Sequence, residues 1–471
     1  MPGAFLRFCP LLLLTEPYKN GIVKSRVDPD RIRIICEAPL RTKDYILYWM
    51  QSTHRAEENP ALAYAIERAD AAHLPVVVYF GFFPEYPEAN LRHLAFMLEG
   101  LESAARALKA LGIRFILRAE DPAAGVLSLA RNAALLVADR DYLRPERLWY
   151  EKVAARCPCP FVQVEANVVV PVRTASEKEE YSAATIRKKI TGQLDRFLVP
   201  VPVRAPARSS LALDIPTLSG EPAETILAGP GIDRSVLPST EFRGGTDEAL
   251  RRFEIFLSTG LDRFAENRNN PGTGIASGMS PYLHFGQVSP VTLALRAQEH
   301  GGPGVPAFLE ELIVRRELAV NFVTYNVRYD TYECLPAWAQ RTLATHANDK
   351  REYLYTLDEL ERAATHDPYW NAAQNEMVRT GKMQGYMRMY WGKKILEWSA
   401  TPQEAYTNAL YLNNKYEIDG RDPNGFAGVA WCFGKHDRPW QERPVFGMVR
   451  YMNAAGLERK FAMETYLEKM R

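Results

Sequence analysis

Residues 76–117 read VVVYFGFFPEYPEANLRHLAFMLEGLESAARALKALGIRFIL, and the order of patterns in this stretch decides the architecture of the N-terminal half. VVVYF (76–80) is a short β-branched and aromatic run, LRHLAFMLEGLESAARALKAL (91–111) is amphipathic, and IRFIL (113–117) is again β-branched. Strand, amphipathic helix and strand in that order predict a parallel α/β sheet with helices packed on it. Working outward, IRIIC (32–36), ALLVA (134–138) and FVQVE (161–165) extend the alternation. The expectation is a doubly wound, parallel five-stranded sheet with helices on both faces, spanning residues 31–180. No GxGxxG follows the first strand, so a dehydrogenase-type dinucleotide site has no support. A ligand of this module belongs at the carboxyl ends of its strands.

Beyond it the character changes. Pro200, Pro202, Pro206, Pro216, Pro222, Pro230 and Pro238 fall in a stretch that sustains neither a long helix nor a central strand, and residues 181–245 are read as a linker wrapping between domains. Residues 246–471 are read as an all-helical domain on stretches such as DEALRRFEIFLSTGLDRFAEN. Residues 1–30 are read as an N-terminal extension whose apolar run LLLL (11–14) is too short to span a bilayer. The chain has 471 residues, 47% of them hydrophobic, and a net charge of +1, so nucleic-acid binding must come from a local patch. Its six cysteines (9, 36, 157, 159, 334, 432) are scattered, and CPCP at 157–160 lacks the two-residue gap of zinc or redox pairs. No metal site is expected, and the thiols are read as reduced, as in a cytosolic protein.

Three motifs of the helical half carry chemistry. Trp391 and Trp398 lie seven residues apart, two helical turns, which puts both indoles on one face with their anchors about 10.5 Å apart along the axis. Trp370 belongs to a separate helical stretch, because Gly381 and Gly385 interrupt the pattern. In ASGMSPYLHFGQVSP (276–290), Ser280 before Pro281 reads as a hydroxyl cap followed by proline at the first helical position. Ser277 and Gly278 ahead of it offer backbone N–H groups, an arrangement suited to phosphate. The non-periodic stretch YLNNKYEIDGRDPNGFAGVAWCFGKHDRPWQERPVFG (411–447) sets Trp431 and Trp440 among Lys435, His436, Arg438 and Arg443. Between 431 and 450 four Lys/Arg face two Asp/Glu, a basic excess with interleaved aromatics that suits phosphates and stacked bases.

An α/β module, a proline-rich wrap and a helical domain containing SGMSPYLHFG, ELIVRREL, the three tryptophans and IDGRDPNGFAGVAW resemble the photolyase and cryptochrome family. YLNNKYEIDGRDPNG and ERPVFGMVRYMN are similar specifically to its class II cyclobutane pyrimidine dimer photolyases. The resemblance implies FAD in the helical domain, with the diphosphate near Ser277, Gly278, Met279 and Ser280. Phe264 stands where other classes have a tyrosine, Phe308 and Arg315 join it among the flavin contacts, and Asp419 pairs with Arg388 beside the ring. The asparagine that other classes place against flavin N5 falls on Gly425, so Asn413 is expected there, with Asn414 as the alternative. ELIVRREL also departs, having Val314 and Arg315 where other classes carry a tryptophan; Glu311 is the carboxyl expected to face the lesion. Arg268, Met389 and Trp431 are implied around the substrate, Trp431 by stacking, with Lys435, Arg438 and Arg450 on phosphates. Trp391, Trp370 and Trp398 are implied as a hopping route that refills an oxidised flavin from solvent.

The implied activity is light-driven: reduced FAD donates an electron to a dimer flipped out of DNA, the cyclobutane bonds open, and the electron returns. The antenna chromophore stays open between an 8-hydroxy-deazaflavin, a folate and none. The implied partner is damaged DNA, with no membrane, and the protein is expected to act as a monomer in the cytoplasm, or in the nucleus if the source is eukaryotic. The competing reading is a cryptochrome-like photosensor; those usually carry a C-terminal extension, and this chain stops about twenty residues after ERPVFGMVRYM. A six-four lesion photolyase needs histidines placed as proton donors, and the contexts of His284 and His366 do not match that role.

Overall fold

The computed structural model describes residues 26–38 and 42–470, so the LLLL run and Cys9 lie outside the described residues. The sheet is built from β1 (Ile32–Cys36), β2 (Tyr45–Trp49), β3 (Val76–Phe82), β4 (Arg114–Ala119), β5 (Ala133–Asp139) and β6 (Phe161–Val164), in the order β1-β6-β5-β2-β3-β4. The α/β class holds, with six strands in place of the expected five. β2 is the strand the sequence reading missed. All five residues of YILYW are buried, and a strand covered on both faces loses the alternation that would reveal it. β1 differs in another way: it runs antiparallel to β6 at the edge of the sheet and leaves Arg33 and Ile34 exposed.

Four helices cover this sheet: α1 (Pro60–Ala72), α2 (Leu91–Ala110), α3 (Pro122–Ala130) and α4 (Arg144–Ala154). Asn59 and Asp121 accept backbone N–H bonds at the starts of α1 and α3, each followed by proline at the first helical position. Ile46, Tyr48, Val76 and Val78 pack under α1 and α2, whereas Leu47, Trp49, Val77 and Tyr79 pack under α3 and α4. Alternate side chains of the central strands thus feed two apolar layers. The wrapping segment seals the outer edge at β4: Ser210 and Thr217 hydroxyls accept from the Arg114 and Leu117 N–H groups at 2.7 and 2.9 Å.

The second half is helical, and six helices matter for the site: α5 (Thr246–Thr259), α6 (Arg316–Tyr325), α7 (Pro368–Thr380), α8 (Gly385–Trp398), α9 (Pro402–Tyr416) and α10 (Pro423–Cys432). Arg92 of α2 fastens the halves together. Its guanidinium donates to the carbonyls of Met377, Val378 and Tyr416 at 3.1, 2.6 and 2.8 Å, bonding C-terminal carbonyls of α7 and α9. Next to it, the His93 ring accepts from the Asn90 N–H at Nδ1 and donates from Nε2 to the Glu417 carbonyl at 2.9 Å. Arg55 makes a second tie by donating to the Asn167 side chain and the Gly286 carbonyl, at 2.9 and 2.8 Å. Gly286 has φ +60°, and a Cβ there would fall 2.0 Å from the Ser52 carbonyl oxygen, so only glycine permits this approach.

Candidate functional site

The charged centre forms where α8 meets the loop after α9. Lys382 Nζ lies 2.9 Å from Asp419 and 3.5 Å from Glu417, and Arg388 lies 2.9 Å from Glu417 and 3.8 Å from Asp419. Two cations therefore face two carboxylates, and the expected Arg388–Asp419 pair is the longest link of a four-member cluster. Burial pushes Glu417 up to about 7. Burial would also raise Asp419, but the Lys382 ammonium and the Arg388 guanidinium override it and hold that carboxyl well below the usual range. Asp419 is thus the fixed anion and Glu417 the carboxyl nearer its titration point. Arg388 Nε is buried and has no hydrogen-bond partner among the described residues.

Asn413 and Asn414 end the same cluster. Asn414 is committed: its amide donates to Glu88 at 2.6 Å, and its carbonyl oxygen accepts from the Arg421 N–H at 3.0 Å. Asn413 donates to the Asn414 carbonyl oxygen at 3.2 Å, and a Cβ at Gly425 would come within 3.1 Å of Asn413 Nδ2. Asn413 therefore occupies the space that a larger residue at 425 would need. On the same helix, a Cβ at Gly428 would meet nothing within 4 Å, so this face of α10 borders open space.

Phe264 and Phe308 come together, their rings 5.9 Å apart and packed with Phe253 and Phe256 of α5. Gly278 turns the backbone at φ +67°, and a Cβ there would approach only Phe242, at 3.7 Å. Met279 is buried, and the Ser277 hydroxyl accepts from its N–H at 3.4 Å. Ser280 is a correction: it is the first residue of a five-residue helix, Ser280–His284, which no side chain caps. Arg315 is another. It lies at the end of a π-helical turn, Glu310–Arg315, where its exposed guanidinium bonds Glu310 at 3.1 Å.

All three tryptophans of the expected relay are buried. Trp391 and Trp370 stack nearly parallel, with ring centres 6.4 Å apart and 7° between planes; Trp370 meets Trp398 at 5.8 Å and 65°. The order is Trp391, Trp370, Trp398, with α7 inserting its indole beside both residues of α8. Trp370 Nε1 donates to the Trp391 carbonyl at 3.0 Å and Trp391 Nε1 to Gln374 at 2.8 Å, so neither buried N–H is unpaired. Trp398 is only 2% exposed, and the surface is reached through Tyr355 and His366, 5.4 and 5.2 Å from it.

A third group gathers around Trp431. Arg450 lies over the Trp431 ring at 5.6 Å and over Trp440 at 4.9 Å, and Arg438 lies over Trp440 at 5.3 Å. Trp440 is exposed, and Trp431 is partly buried. Beneath Trp431 sits Lys393, 5.2 Å from the ring, donating to the Cys432 carbonyl at 2.5 Å and pushed down to about 8 by burial. Met389 is partly buried on the same helix as Lys393. Arg268 and Glu311 form an ion pair, and Arg268 also lies over Phe264 at 5.9 Å.

Lys435 is the clearest departure. Its ammonium is buried, ion-paired with Glu179 and bonded to the Cys334 carbonyl at 3.0 Å, so it is not presented to a phosphate. Lys435→Ala should lower stability by about 1–3 kcal/mol, the cost of stranding buried partners, and leave the salt dependence of DNA binding unchanged. Denaturant melts and binding isotherms at several salt concentrations measure the two.

The sequence reading missed Glu417, Lys382, Lys393, Gln374 and Tyr355. Gln374 had a signal, being four residues after Trp370 and so on its face of α7. Lys393 and Lys394 interrupt the apolar pattern beside Trp391, which marked that face as unusual.

A cavity of about 130 Å³ opens where β2 lies between β3 and β5, the point at which the strand order reverses. It is where the sequence reading placed a ligand of this module. Phe80, Tyr86 and Trp149 line it, together with Glu146, Arg421 and the His284–Asp422 pair at 3.0 Å. Burial pushes Glu146 up to about 8, helped by Asp141.

A mostly parallel α/β sheet and a helical half that meet at this cavity define a known class of fold. The Synechocystis sp. PCC6803 cryptochrome matches with TM-score 0.71 at 15% identity, over 91% of this chain and 88% of its own. A class III photolyase from Agrobacterium tumefaciens matches with TM-score 0.67 at 16% identity, over 92% and 87%. These likenesses establish the photolyase and cryptochrome fold. The DNA photolyase family model matches residues 46–207. A deoxyribodipyrimidine photo-lyase of Methanothermobacter thermautotrophicus is 52% identical over 94% of this chain and 99% of its own length. That of Potorous tridactylus is 40% identical over 96% and 86%. The chain belongs to the DNA photolyase family.

Proposed function

We propose that this protein is a class II photolyase that repairs cyclobutane pyrimidine dimers in DNA with light, using FAD held in its helical domain. The observation that carries the reading is the placement of Arg388 and Trp391 three residues apart on α8, so that the charged centre and the buried tryptophan chain begin on one helix. The relatives named deoxyribodipyrimidine photo-lyase support the substrate class. The residues fit a flavin: Arg388 Nε finds no acceptor among the described residues, and the α10 face at Gly428 borders open space.

When bound, reduced FAD supplies an electron that light makes available for transfer to the dimer. The protein does the rest by placement. Arg388, Lys382 and Asp419 would hold the polar part of the ring system, Asn413 would offer its amide in the space beside Gly425, and the Ser277–Ser280 turn would offer backbone N–H groups to the diphosphate. Phe264 and Phe308 close the apolar side and exclude water. Trp431, whose ring lies 5.2 Å from Lys393 and 5.6 Å from Arg450, stacks on the flipped-out lesion; Arg268, Glu311 and Met389 border it, and Arg438 and Arg450 hold phosphates. The chain Trp391, Trp370, Trp398 would carry electrons toward a bound flavin. The cavity at the strand-order reversal takes a flat antenna chromophore, an 8-hydroxy-deazaflavin or a folate, between its aromatic walls. The protein acts as a monomer, in cytoplasm or nucleus; no helix among the described residues is long and apolar enough to cross a membrane.

Trp431→Ala should weaken binding of dimer-containing DNA by about 1–3 kcal/mol, the scale of one lost base–aromatic stack, with little change for undamaged DNA and normal flavin content. Arg450→Ala should weaken both DNAs and flatten the salt dependence. Titrations with the two DNAs decide: equal losses for both DNAs in Trp431→Ala, or loss of flavin, remove Trp431 from the lesion pocket.

A further inference from the structure

We infer that His366 is the proton acceptor at the outer end of the electron chain, taking the phenolic proton of Tyr355 as that tyrosine is oxidised by Trp398. The inference rests on the proposed tryptophan route and extends it by one proton-coupled step. Trp398 is too deeply buried to meet a reductant in solvent, so the chain needs an exit. Tyr355 supplies it: its ring lies 5.4 Å from Trp398, edge to face, and its backbone N–H donates to the Trp398 carbonyl at 3.1 Å. The Tyr355 hydroxyl is 2.7 Å from His366 Nδ1 and accepts from the His366 backbone N–H at 3.0 Å, so with the imidazole proton on Nε2 the hydroxyl donates to Nδ1. The imidazole is exposed and stacked on Tyr353, ring centres 3.7 Å apart at 19°. A phenol that loses an electron becomes a strong acid, and a hydrogen-bonded base removes the cost of releasing that proton to water.

The step balances. One electron passes from Tyr355 to the Trp398 radical cation, the Tyr355 O–H bond breaks, and its proton forms an N–H bond at His366 Nδ1. The products are neutral Trp398, a neutral tyrosyl radical and an imidazolium able to pass its proton to water.

The test is transient absorption of the full-length protein carrying oxidised FAD, after a light flash, in H2O and D2O. The tryptophan radical should give way to a tyrosyl radical, more slowly in D2O. His366→Phe keeps a ring against Tyr353 but offers no base, and tyrosyl formation should slow by roughly 100-fold, the low end of what a positioned base contributes. His366→Ala should slow it likewise and recover with added imidazole. Tyr355→Phe should lose the tyrosyl signal and leave the tryptophan radical longer-lived. Unchanged tyrosyl kinetics and isotope effect in His366→Phe overturn the inference, since water would then be the acceptor. A wild type with tryptophan but no tyrosyl radical overturns it while leaving the tryptophan route standing; one with neither radical overturns both.

Discussion

Trp391→Phe should abolish photoreduction of the bound flavin while leaving repair by chemically pre-reduced protein nearly intact. Phenylalanine fills most of the volume of the indole, so the buried stack on Trp370 persists as packing, but its ring is far harder to oxidise. The proposed electron supply is cut at its first member. Gln374 loses the N–H that its carbonyl oxygen accepts, a cost of about 1 kcal/mol that the fold tolerates. The measurement is the flavin absorption change under blue light with a reductant present, set beside single-turnover repair in dithionite-reduced samples. Full photoreduction in the variant would remove Trp391 from the route. Loss of repair by pre-reduced protein would place it in the lesion chemistry instead.

Asp419→Ala should empty the flavin site. Removing this carboxylate leaves Lys382 and Arg388 facing Glu417 alone, and taking one partner from a buried ion network costs about 3–5 kcal/mol. The purified variant should be nearly colourless, melt at lower temperature, and gain less from added FAD than the wild type gains. The ratio of flavin to protein absorbance and thermal melts with and without FAD measure this. Wild-type flavin content in Asp419→Ala would mean that the cluster holds α8 to the loop after α9 and nothing more.

The α/β half was legible because β3 and β4 are β-branched runs flanking an amphipathic helix, and β5 and β6 repeat the pattern. β2 was not, because central burial erased its alternation, and nothing local in IRIIC says that β1 is antiparallel. Arg92 sits in a segment that reads as an ordinary surface helix, yet it caps carbonyls of two helices more than 280 residues downstream. Within the proposed site, the nearness of Arg388 to Asp419 was expected from the family resemblance, and the shared helix of Trp391 and Trp398 from their spacing. Their connections were not: the insertion of Trp370 between Trp391 and Trp398 depends on how α7 packs on α8. Lys435 shows the same limit from the other side. Its neighbours Arg438 and Trp440 are exposed as a basic, aromatic stretch predicts, but its own ammonium is claimed by Glu179, 256 residues away in sequence. Ser280 was misread by a single position, because a Ser-Pro pair marks a helix start without saying whether the serine precedes the first turn or belongs to it.

The most direct test of the whole account is to illuminate the reduced, flavin-loaded protein with DNA carrying cyclobutane pyrimidine dimers and to follow the lesion by the recovery of pyrimidine absorbance. The account predicts complete, catalytic loss of dimers in blue or near-ultraviolet light and none in the dark, with no net consumption of reductant. Persistent dimers under light, in protein shown to carry a full complement of reduced flavin and to bind the damaged DNA, would contradict it and leave a photosensor as the reading of the same fold.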